Sequence, residues 1–413
     1  MNLSRREALT AMGLLPAFAS PVFTQELKIP SALPDRDNFP LDGTYLDAAY
    51  VHPFGRMAAA SATAYLDVRQ GDPRGIRPGQ NARNLATEKF AGLINASPEE
   101  VAVVPSTLEG ENLVNASLGI GPGAGVVTDG GHYDGSLALY GELHRRGAPL
   151  GVVRPREGRV DLADVRALLT PHTRLVAVSL VSSTTGFIYD LAELCSLAHA
   201  HGALVYADII QAAGAIPIDV KASGVDFAAC GTYKWLMGDF GTAFLYVRPD
   251  RLDRLKRVQV GWRQFRSYSS HALPFESPGP ALGTYELSTG APGLFEVSTP
   301  AWGPLATVAA SLQYVAAVGV ENITRYRQPL LDQLRSRLLS AGFLPLSASG
   351  SNSPVICFAC RDAKKRFAAP LQQEKIQISL YENRIRVSPS VYNTMDHIEH
   401  LIAILCDPRF ARG

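Results

Sequence analysis

Short apolar runs alternate with amphipathic segments through the middle of the chain. Seven runs have the length of a β-strand: Val101–Val104, Gly125–Thr128, Leu150–Arg154, Leu175–Val181, Ala203–Ala207, Phe227–Cys230 and Thr242–Val247. Helical segments lie between several of them: Glu109–Leu118, Ser136–Arg146, Leu162–Leu169 and Leu191–His201. Near-continuous apolar strands that alternate with helices are typical of a parallel sheet with helices on both faces. The pattern predicts an α/β domain around a mostly parallel seven-stranded sheet.

The pattern changes after residue 250. The segment Asp250–Pro300 is rich in Arg, Ser, Pro and aromatic residues, and it predicts a long irregular loop with a functional role. Beyond two further helical stretches, shorter strands and helices alternate to the end of the chain. We therefore predict a large domain over residues 56–300 and a smaller α+β domain over residues 301–413, preceded by an arm over residues 25–55.

The first 24 residues have the features of an export signal. Arg5 and Arg6 precede an apolar run, Ala8–Ala19, that ends in an A-x-A cleavage pattern. Paired arginines resemble the twin-arginine signal, and the run is too short to span a bilayer. We expect a periplasmic or secreted protein. The alternative is a chance Arg-Arg pair at the start of a cytoplasmic protein.

Composition narrows the classes of partner. The 413 residues carry a net charge of +1 without a basic block, which argues against nucleic acid or an anionic membrane as the main partner. The five cysteines are scattered, and a lone CxxC at Cys357 and Cys360 lies in an apolar run. We expect these cysteines to pack in the core, and we expect no metal site.

An acid and a lysine about 25 residues apart suggest a specific chemistry. Asp208 ends one apolar strand, and Lys234 follows the next strand between two aromatic residues. A lysine that is desolvated in this way becomes a nucleophile and general base. An acid at a strand end can keep the ring nitrogen of pyridoxal phosphate (PLP) protonated while the lysine forms a Schiff base with its aldehyde. The alternatives are a surface lysine and a helix-capping aspartate.

Further polar residues follow neighbouring strands, where α/β sheets bind their ligands. They are Thr107, Asp129 and His132, which follow two strands, and Gln211, which lies three residues after Asp208. Thr107 opens a helix, and a helix N-terminus binds phosphate. Each residue also has an ordinary structural interpretation: a helix start for Thr107, a structural histidine for His132 and an exposed turn residue for Gln211.

Two arginines in the second domain are candidates for binding a carboxylate. Arg384 and Arg386 share one face of a predicted strand, so their position does not choose between them. The alternative is a pair of solvated charges on an edge strand.

Taken together, these motifs resemble the class V aminotransferases, a superfamily of PLP-dependent enzymes. The resemblance runs from about Tyr45 to about Leu405. It rests on Tyr45-Leu46-Asp47-Ala48-Ala49, Ser106-Thr107-Leu108-Glu109-Gly110-Glu111-Asn112, Gly131-His132, Asp208-Ile209-Ile210-Gln211, Tyr233-Lys234, Ser298-Thr299-Pro300 and Arg386-Val387-Ser388. Overall it is nearest to the isopenicillin N epimerase-like branch, and it implies the PLP-dependent transferase fold.

The resemblance also implies residue roles. Lys234 would bind PLP covalently, with Asp208 on the pyridine nitrogen, Gln211 on the ring oxygen and His132 stacked on the ring. Thr107, the Leu108 amide and Tyr233 would hold the phosphate. Ser298 and Thr299 would reach the phosphate from the other subunit of a homodimer. Arg386 would take the substrate carboxylate, with Tyr50, His52, Trp262 and Arg263 near the substrate.

Two departures from the family pattern bear on the reaction. Desulfurases of this family carry a nucleophilic cysteine shortly before the carboxylate arginine, but the segment Ile376–Arg384 has none. The position three before the lysine, often a serine, is Gly231. We therefore expect a PLP enzyme acting at the α-amino carbon of an amino-acid-like substrate, by epimerisation or transamination. A C–S or other β-lyase is the alternative. Cysteine desulfurase activity and a non-catalytic binding protein rank lower.

Overall fold

The computed structural model describes residues 32–71, 77–348 and 350–411. The predicted export signal, residues 1–24, lies outside them. In chain order the strands are β1 (Thr44–Tyr45), β2 (Val101–Val104), β3 (Gly125–Asp129), β4 (Leu150–Val153), β5 (Thr173–Ser179), β6 (Leu204–Asp208), β7 (Phe227–Gly231), β8 (Ala243–Val247), β9 (Phe265–Ser269), β10 (Thr284–Leu287), β11 (Leu344–Pro345), β12 (Ile356–Ala359), β13 (Ile376–Gln377), β14 (Ser379–Tyr381) and β15 (Arg384–Val387).

The α-helices cover both faces of the main sheet and one face of the smaller one. They are α1 (Arg56–Gly71), α2 (Arg77–Leu93), α3 (Thr107–Leu118), α4 (Asp134–Arg145), α5 (Leu162–Leu168), α6 (Leu191–Ala200), α7 (Val220–Ser223), α8 (Gly290–Phe295), α9 (Trp302–Val318), α10 (Val320–Ser340), α11 (Ala363–Gln373), α12 (Met395–Leu405) and α13 (Pro408–Ala411).

The main sheet has seven strands in the order β2-β8-β7-β6-β5-β3-β4. Strands β7, β6, β5, β3 and β4 are parallel neighbours, whereas β8 runs antiparallel to both β7 and β2. Strand β8 reverses direction because the connection between β7 and β8 is short: residues 232–242 are too few for the crossover that a parallel neighbour of β7 needs. The predicted mostly parallel seven-stranded sheet is confirmed. Its parallel order places the ends of β3, β5 and β6 at one edge.

Two sets of buried apolar side chains fill the two faces of this sheet. Helix α9 contributes Trp302, Leu305, Val308 and Leu312 to one of them, so it packs into the core of the large domain although it follows residue 300. A separate core combines α10, α11 and α12 with the four-stranded sheet β11-β12-β15-β14. The arm reaches this core, because Leu46 is buried in it and β1 pairs with β13.

The segment Asp250–Pro300 differs from its prediction. It contains the antiparallel hairpin β9–β10 and the helix α8 rather than continuous irregular loop. Both hairpin strands are largely exposed on both faces, so they lack the alternation of buried and exposed positions that marks a strand in a sequence. The predicted strand Ile376–Leu380 is likewise divided into β13 and β14.

Within the described ranges, no single helix is both long and apolar enough to cross a membrane. Helices α9 and α10 together meet the criteria of length and composition, but they are bent by 76° relative to each other.

Candidate active site

Asp208 and Lys234, the predicted acid and lysine, lie at the carboxyl edge of the main sheet, and the charge of each acts on the pKa of the other. Asp208 is the last residue of β6, is 4% exposed, and its Oδ1 accepts a hydrogen bond from Ile210 N at 2.9 Å. Burial raises the pKa of Asp208 to about 6, although the charges of His132 and Lys234 act in the opposite direction. Burial also lowers the pKa of Lys234 to about 8, against the attraction of Asp208.

His132 occupies the loop after β3, where the sequence placed it, and both of its ring nitrogens have partners. Nδ1 is 2.8 Å from the Oγ of Ser179, the last residue of β5, and Nε2 is 3.1 Å from Glu111 Oε1. The ring is 2% exposed. Burial acts to lower the pKa of His132, but the charge and hydrogen bond of Glu111, together with the charges of Asp208 and Asp129, outweigh it, so the pKa is raised. His132, Asp208 and Lys234 therefore form one electrostatic unit.

Gln211 is fixed at both ends of its amide group. Its Nε2 donates to Ala49 O at 3.0 Å, and its Oε1 accepts from Trp235 Nε1 at 2.9 Å. The side chain is 3% exposed. Ala49 belongs to the arm and Trp235 follows the lysine, so three distant segments of the chain meet at this side chain.

The start of α3 has the features of a phosphate site. Ser106 caps the helix by accepting from Glu109 N at 3.0 Å, and the first N–H groups of the helix, those of Thr107 and Leu108, lie at its positive end. Thr107 Oγ1 accepts from Gly231 N at 2.8 Å, which ties this helix to the end of β7. A Cβ at residue 231 would lie 3.0 Å from Ile210 Cδ1 and 3.2 Å from Thr107 Oγ1, so the small residue keeps this cradle open.

Aromatic side chains surround Lys234. Its Nζ lies 5.7 Å from the centre of the Tyr233 ring, which stacks on Phe240 at 4.7 Å. Burial raises the pKa of Tyr233 to about 12, and Asp208, Tyr133 and Tyr50 add to that effect. Tyr50 is 65% exposed. Its N donates to Asp47 O at 2.9 Å, and the Asp47 carboxylate pairs with Arg386.

The two candidate arginines have different surroundings, although they share a strand face. Arg386 is 4% exposed, and its Nη2 donates to Ser379 Oγ at 2.8 Å and to Asp47 Oδ1 at 3.2 Å. Its Nε is buried without a partner in the described structure. Arg384 Nε is likewise buried without a partner, but Arg384 is only half-buried and its guanidinium lies over the Tyr381 ring at 3.9 Å. Arg386 therefore has an unused donor in an enclosed position, and its charge contributes to the lowered pKa of Lys234.

The other predicted substrate residues, His52, Trp262 and Arg263, have different surroundings. His52 is 1% exposed, with its ring nitrogens 2.8 Å from Pro53 O and from Ser390 Oγ, and burial lowers its pKa to about 4. Trp262 is 71% exposed beside the β9–β10 hairpin, where it contacts Phe265. Arg263 lies over the Trp302 ring at 5.4 Å and pairs with Glu296 at 3.4 Å. His52 N also donates to Tyr233 O at 2.9 Å, directly before Lys234, whereas the hydrogen bonds and ring contacts of Trp262 and Arg263 in the described residues do not reach Lys234 or Arg386.

Ser298 and Thr299 are exposed and line a cavity of about 330 Å³ that also includes Pro105 and Glu109, at the start of α3. That Ser298 and Thr299 contact the phosphate bound in the other subunit of a homodimer stays a prediction.

Three functional candidates had no role assigned from the sequence. Glu111 is fully buried behind His132, Asp47 pairs with Arg386, and Ser379 donates to both Asp47 oxygens at 2.7 and 2.9 Å. One signal was available for Glu111, because it shares a helix face with Val114 and Leu118 and is thus an acid on an apolar face. The contact of Asp47 with Arg386 crosses most of the chain, and no local pattern indicates it.

The arrangement fits PLP by the chemistry of its donors. A lysine with a lowered pKa, an acid beside it, a helix N-terminus and an arginine with an unused buried donor match an aldehyde, a ring nitrogen, a phosphate and a substrate carboxylate. Lys234 would hold the aldehyde, Asp208 the ring nitrogen, and Thr107 with Leu108 the phosphate.

Comparisons with known proteins identify the family. The family model described as aminotransferase class-V matches residues 78–401. A cysteine desulfurase of Escherichia coli is 33% identical over 333 residues, which are 76% of this chain and 77% of the relative. A probable cysteine desulfurase of Methanothermobacter thermautotrophicus is 29% identical over 317 residues, or 74% and 75% of the two chains.

Solved structures share the fold. An apo cysteine desulfurase from Thermococcus onnurineus superposes with a TM-score of 0.78 at 23% identity, covering 92% of this chain and 98% of that one. A cystine C–S lyase, solved with its reaction product cysteine persulfide, has a TM-score of 0.77 at 22% identity, covering 89% and 98%. The chain therefore belongs to the class V aminotransferases, and it is an enzyme of the PLP-dependent transferase fold whose cofactor is PLP.

Proposed function

We propose that this enzyme cleaves the C–S bond of a sulfur-containing amino acid and releases the sulfur on a small product rather than on a protein cysteine. The family relatives that support this are cysteine desulfurases, matched at 33% identity over three quarters of the chain. The epimerase or aminotransferase chemistry that the sequence favoured first ranks second, because those relatives favour C–S chemistry.

The observation that carries the proposal is the environment of the five cysteines. Four are buried and Cys406 is half-buried, and burial raises the pKa of every one of these thiols. A nucleophilic cysteine needs an accessible thiolate. In addition, β14 and β15 are joined by Glu382 and Asn383 alone, so no cysteine-bearing loop precedes Arg386. Sulfur transfer to the protein lacks a suitable acceptor.

The residues divide the work by position. Arg386 binds the α-carboxylate through its unused donor and fixes the substrate relative to Lys234. Lys234 removes the Cα proton, since its lowered pKa keeps a large share of the amine neutral near pH 8. Asp208 holds the ring nitrogen of PLP, which when bound supplies an electron sink. The C–S bond then breaks, and the leaving sulfur keeps the electron pair.

Each overall reaction balances. With cystine and water, the products are pyruvate, ammonia and cysteine persulfide. With cysteine and water, they are pyruvate, ammonia and sulfide. A desulfurase would instead give alanine and a persulfide on the protein.

The test is product analysis with purified enzyme, PLP and either L-cystine or L-cysteine in deuterated water. We expect pyruvate and ammonia, with little alanine, and no product with Lys234→Ala. Cys406→Ala is the matched control for sulfur capture and should retain full activity. Alanine with a protein persulfide would make the enzyme a desulfurase. Recovered substrate with deuterium at Cα and no pyruvate would make it an epimerase, and accumulated pyridoxamine phosphate would make it an aminotransferase.

We also propose export through the twin-arginine signal in residues 1–24, supported by Arg5-Arg6 and the apolar run after them. Cell fractionation should find the wild-type protein in the periplasm or the medium. Replacing Arg5 and Arg6 by lysine should leave an uncleaved protein in the cytoplasm. Equal distribution of the two proteins would remove this proposal.

A further inference from the structure

Glu111 is a fully buried carboxylate with three side-chain donors around it. It is 0% exposed and accepts from Ser136 Oγ at 2.5 Å, from Tyr140 OH at 2.5 Å and from His132 Nε2 at 3.1 Å. A buried carboxylate is costly unless a positive charge compensates for it. Among the described residues, the one ion pair of Glu111 is with His132, and no lysine or arginine takes part.

The hydrogen bonds around His132 constrain its proton positions. An ionised carboxylate only accepts, so Nε2 must carry a hydrogen. Nδ1 faces Ser179 Oγ at 2.8 Å, and the oxygen of a serine hydroxyl can accept a hydrogen bond from a protonated Nδ1. The network therefore accommodates an imidazolium with both protons satisfied.

The charges around the ring favour that form. The acidic groups that act on His132 come from three elements: Glu111 on α3, Asp129 at the end of β3 and Asp208 at the end of β6. Tyr140 on α4 stacks on the imidazole at 6.3 Å. The nearby cation is Lys234, whose positive charge acts on Asp208. The negative charge of three carboxylates exceeds the positive charge of one lysine, which favours a second positive charge at His132.

We propose that Glu111 is a positioning residue that holds His132 as an imidazolium and, through that charge, keeps Asp208 ionised for the ring nitrogen of PLP. Glu111 contacts His132 directly, and His132 acts through its charge on Asp208 at the carboxyl edge of the sheet. Burial and, more weakly, the charge of Glu111 itself push Asp208 towards its neutral form, and the charge of His132 opposes them with a larger effect than that of Glu111. This role concerns the cofactor and holds for whichever reaction the enzyme catalyses.

The first test uses the cofactor-free protein, so it does not depend on activity. The protein is labelled with ¹⁵N-histidine, and the His132 signal is assigned from its absence in His132→Asn. We expect His132 to be protonated at pH 7 in the wild type, and Glu111→Gln to lower its pKa by about one unit or more. Tyr140→Phe removes a hydrogen bond to the same carboxylate but no charge, so it should have a smaller effect. A neutral His132 at pH 7 in the wild type, or an unchanged pKa in Glu111→Gln, would overturn the proposal.

A second variant serves if Glu111→Gln does not fold. Ser179→Ala removes the group that faces Nδ1. An imidazolium that donates to Ser179 loses stabilisation, so its pKa should fall. A neutral ring that accepts from Ser179 would show a rise instead, which would contradict the proposal.

The consequence for the cofactor is measured by titrating the same proteins with PLP. Glu111→Gln should weaken PLP binding about ten-fold at pH 7 if Asp208 loses its ionised form. Glu111→Asp, which keeps the charge, should restore part of the affinity. A Glu111→Gln protein with a lowered His132 pKa but unchanged PLP affinity would refute the step from His132 to Asp208. Failure of the C–S lyase assay affects none of these outcomes.

Discussion

At the scale of single residues, burial brings the pKa values of the acid and the base in the site close together. The pKa of Asp208 is raised to about 6 and that of Lys234 is lowered to about 8, so a narrow interval near neutral pH separates them. A lysine with this pKa is partly neutral near pH 8, which suits a base that removes the Cα proton. The cost is a lower stability of the folded state, because an ionised lysine that is buried at residue 234 is poorly solvated.

That cost leads to the first prediction. Between pH 8 and the ordinary pKa of lysine, 10.5, the unfolded chain binds more protons at residue 234 than the folded one, so the stability of the wild type rises with pH in this interval. Cofactor-free Lys234→Met should therefore be more stable than the wild type at pH 7, by about 2 kcal/mol, and the difference should shrink as the pH approaches 10.

Urea unfolding of both proteins at pH 7 and pH 10 measures this difference. The exposed Lys256 provides the control, since Lys256→Met should match the wild type. A Lys234→Met protein that is less stable than the wild type at pH 7 would show that the lysine is well solvated in the folded state.

The second prediction separates the two arginines of β15. Arg386→Lys keeps a charge beside Asp47 but loses the planar donor set, so KM for cystine should rise about one hundred-fold with a smaller change in kcat. Arg384→Lys, on the same strand face but stacked on Tyr381, should change KM less than about two-fold. Steady-state kinetics decide. Equal effects of both substitutions would mean that neither arginine is the specific carboxylate site.

At the scale of elements, the site depends on the ends of strands and on the start of one helix. Strands β3, β5 and β6 end at Asp129, Ser179 and Asp208, and α3 begins at Thr107 beside Gly231 at the end of β7. The parallel order of the sheet brings these ends to one edge, and the reversal at β8 follows from a short connection. Helix α3 has two roles, since its first turn forms the proposed phosphate site and its second turn carries Glu111.

The third prediction concerns the start of α3. Ser106→Ala removes the cap on Glu109 N and should lower the free energy of unfolding by about 1 kcal/mol. Because the same turn is the proposed phosphate site, PLP affinity should also fall several-fold. Thr394→Ala removes the equivalent cap of α12, in the smaller core, and should lower stability without a change in PLP affinity. Unchanged PLP affinity in Ser106→Ala would place the phosphate elsewhere.

At the scale of the whole molecule, two cores are connected by the arm and by α9 and α10. The arm gives Ala49 to Gln211 and Asp47 to Arg386, so one short segment supports both the cofactor side and the substrate side of the site. The distance between those sides is thus set by contacts between domains, and closure of the small domain would move Arg386 relative to Lys234.

The fourth prediction tests the homodimer and the position of Ser298 and Thr299. Each subunit is produced with a different affinity tag, one as Lys234→Ala and the other with alanine at residues 298 and 299. If the loop serves the other subunit, every mixed dimer has one complete site, and random pairing should restore about a quarter of wild-type activity. If the loop serves its own subunit, the mixture stays inactive. A monomeric wild type in light scattering would end the dimer proposal.

Part of the candidate site was predicted from the sequence, because its residues lie close to strands that short stretches of sequence reveal. Asp208, Lys234, His132 and Thr107 each follow a strand that its apolar run made visible, and parallel strands end together. The hairpin β9–β10 was missed because its exposed strands have no apolar face. His52 was placed near the substrate by resemblance. The structure buries its ring between Phe39 and Tyr392, and its N donates to Tyr233 O beside Lys234, so its role stays a prediction.

The sequence by itself determined the sheet, its carboxyl edge and the family, because these depend on apolar periodicity and on motifs within short stretches of chain. Only the tertiary structure decided which arginine is enclosed beside Asp47, why residue 231 is glycine, and that Glu111 stands behind His132. Each of these depends on side chains from distant segments that meet in a buried volume, where desolvation fixes charge. The sequence places the residues on the chain, but burial decides their ionisation.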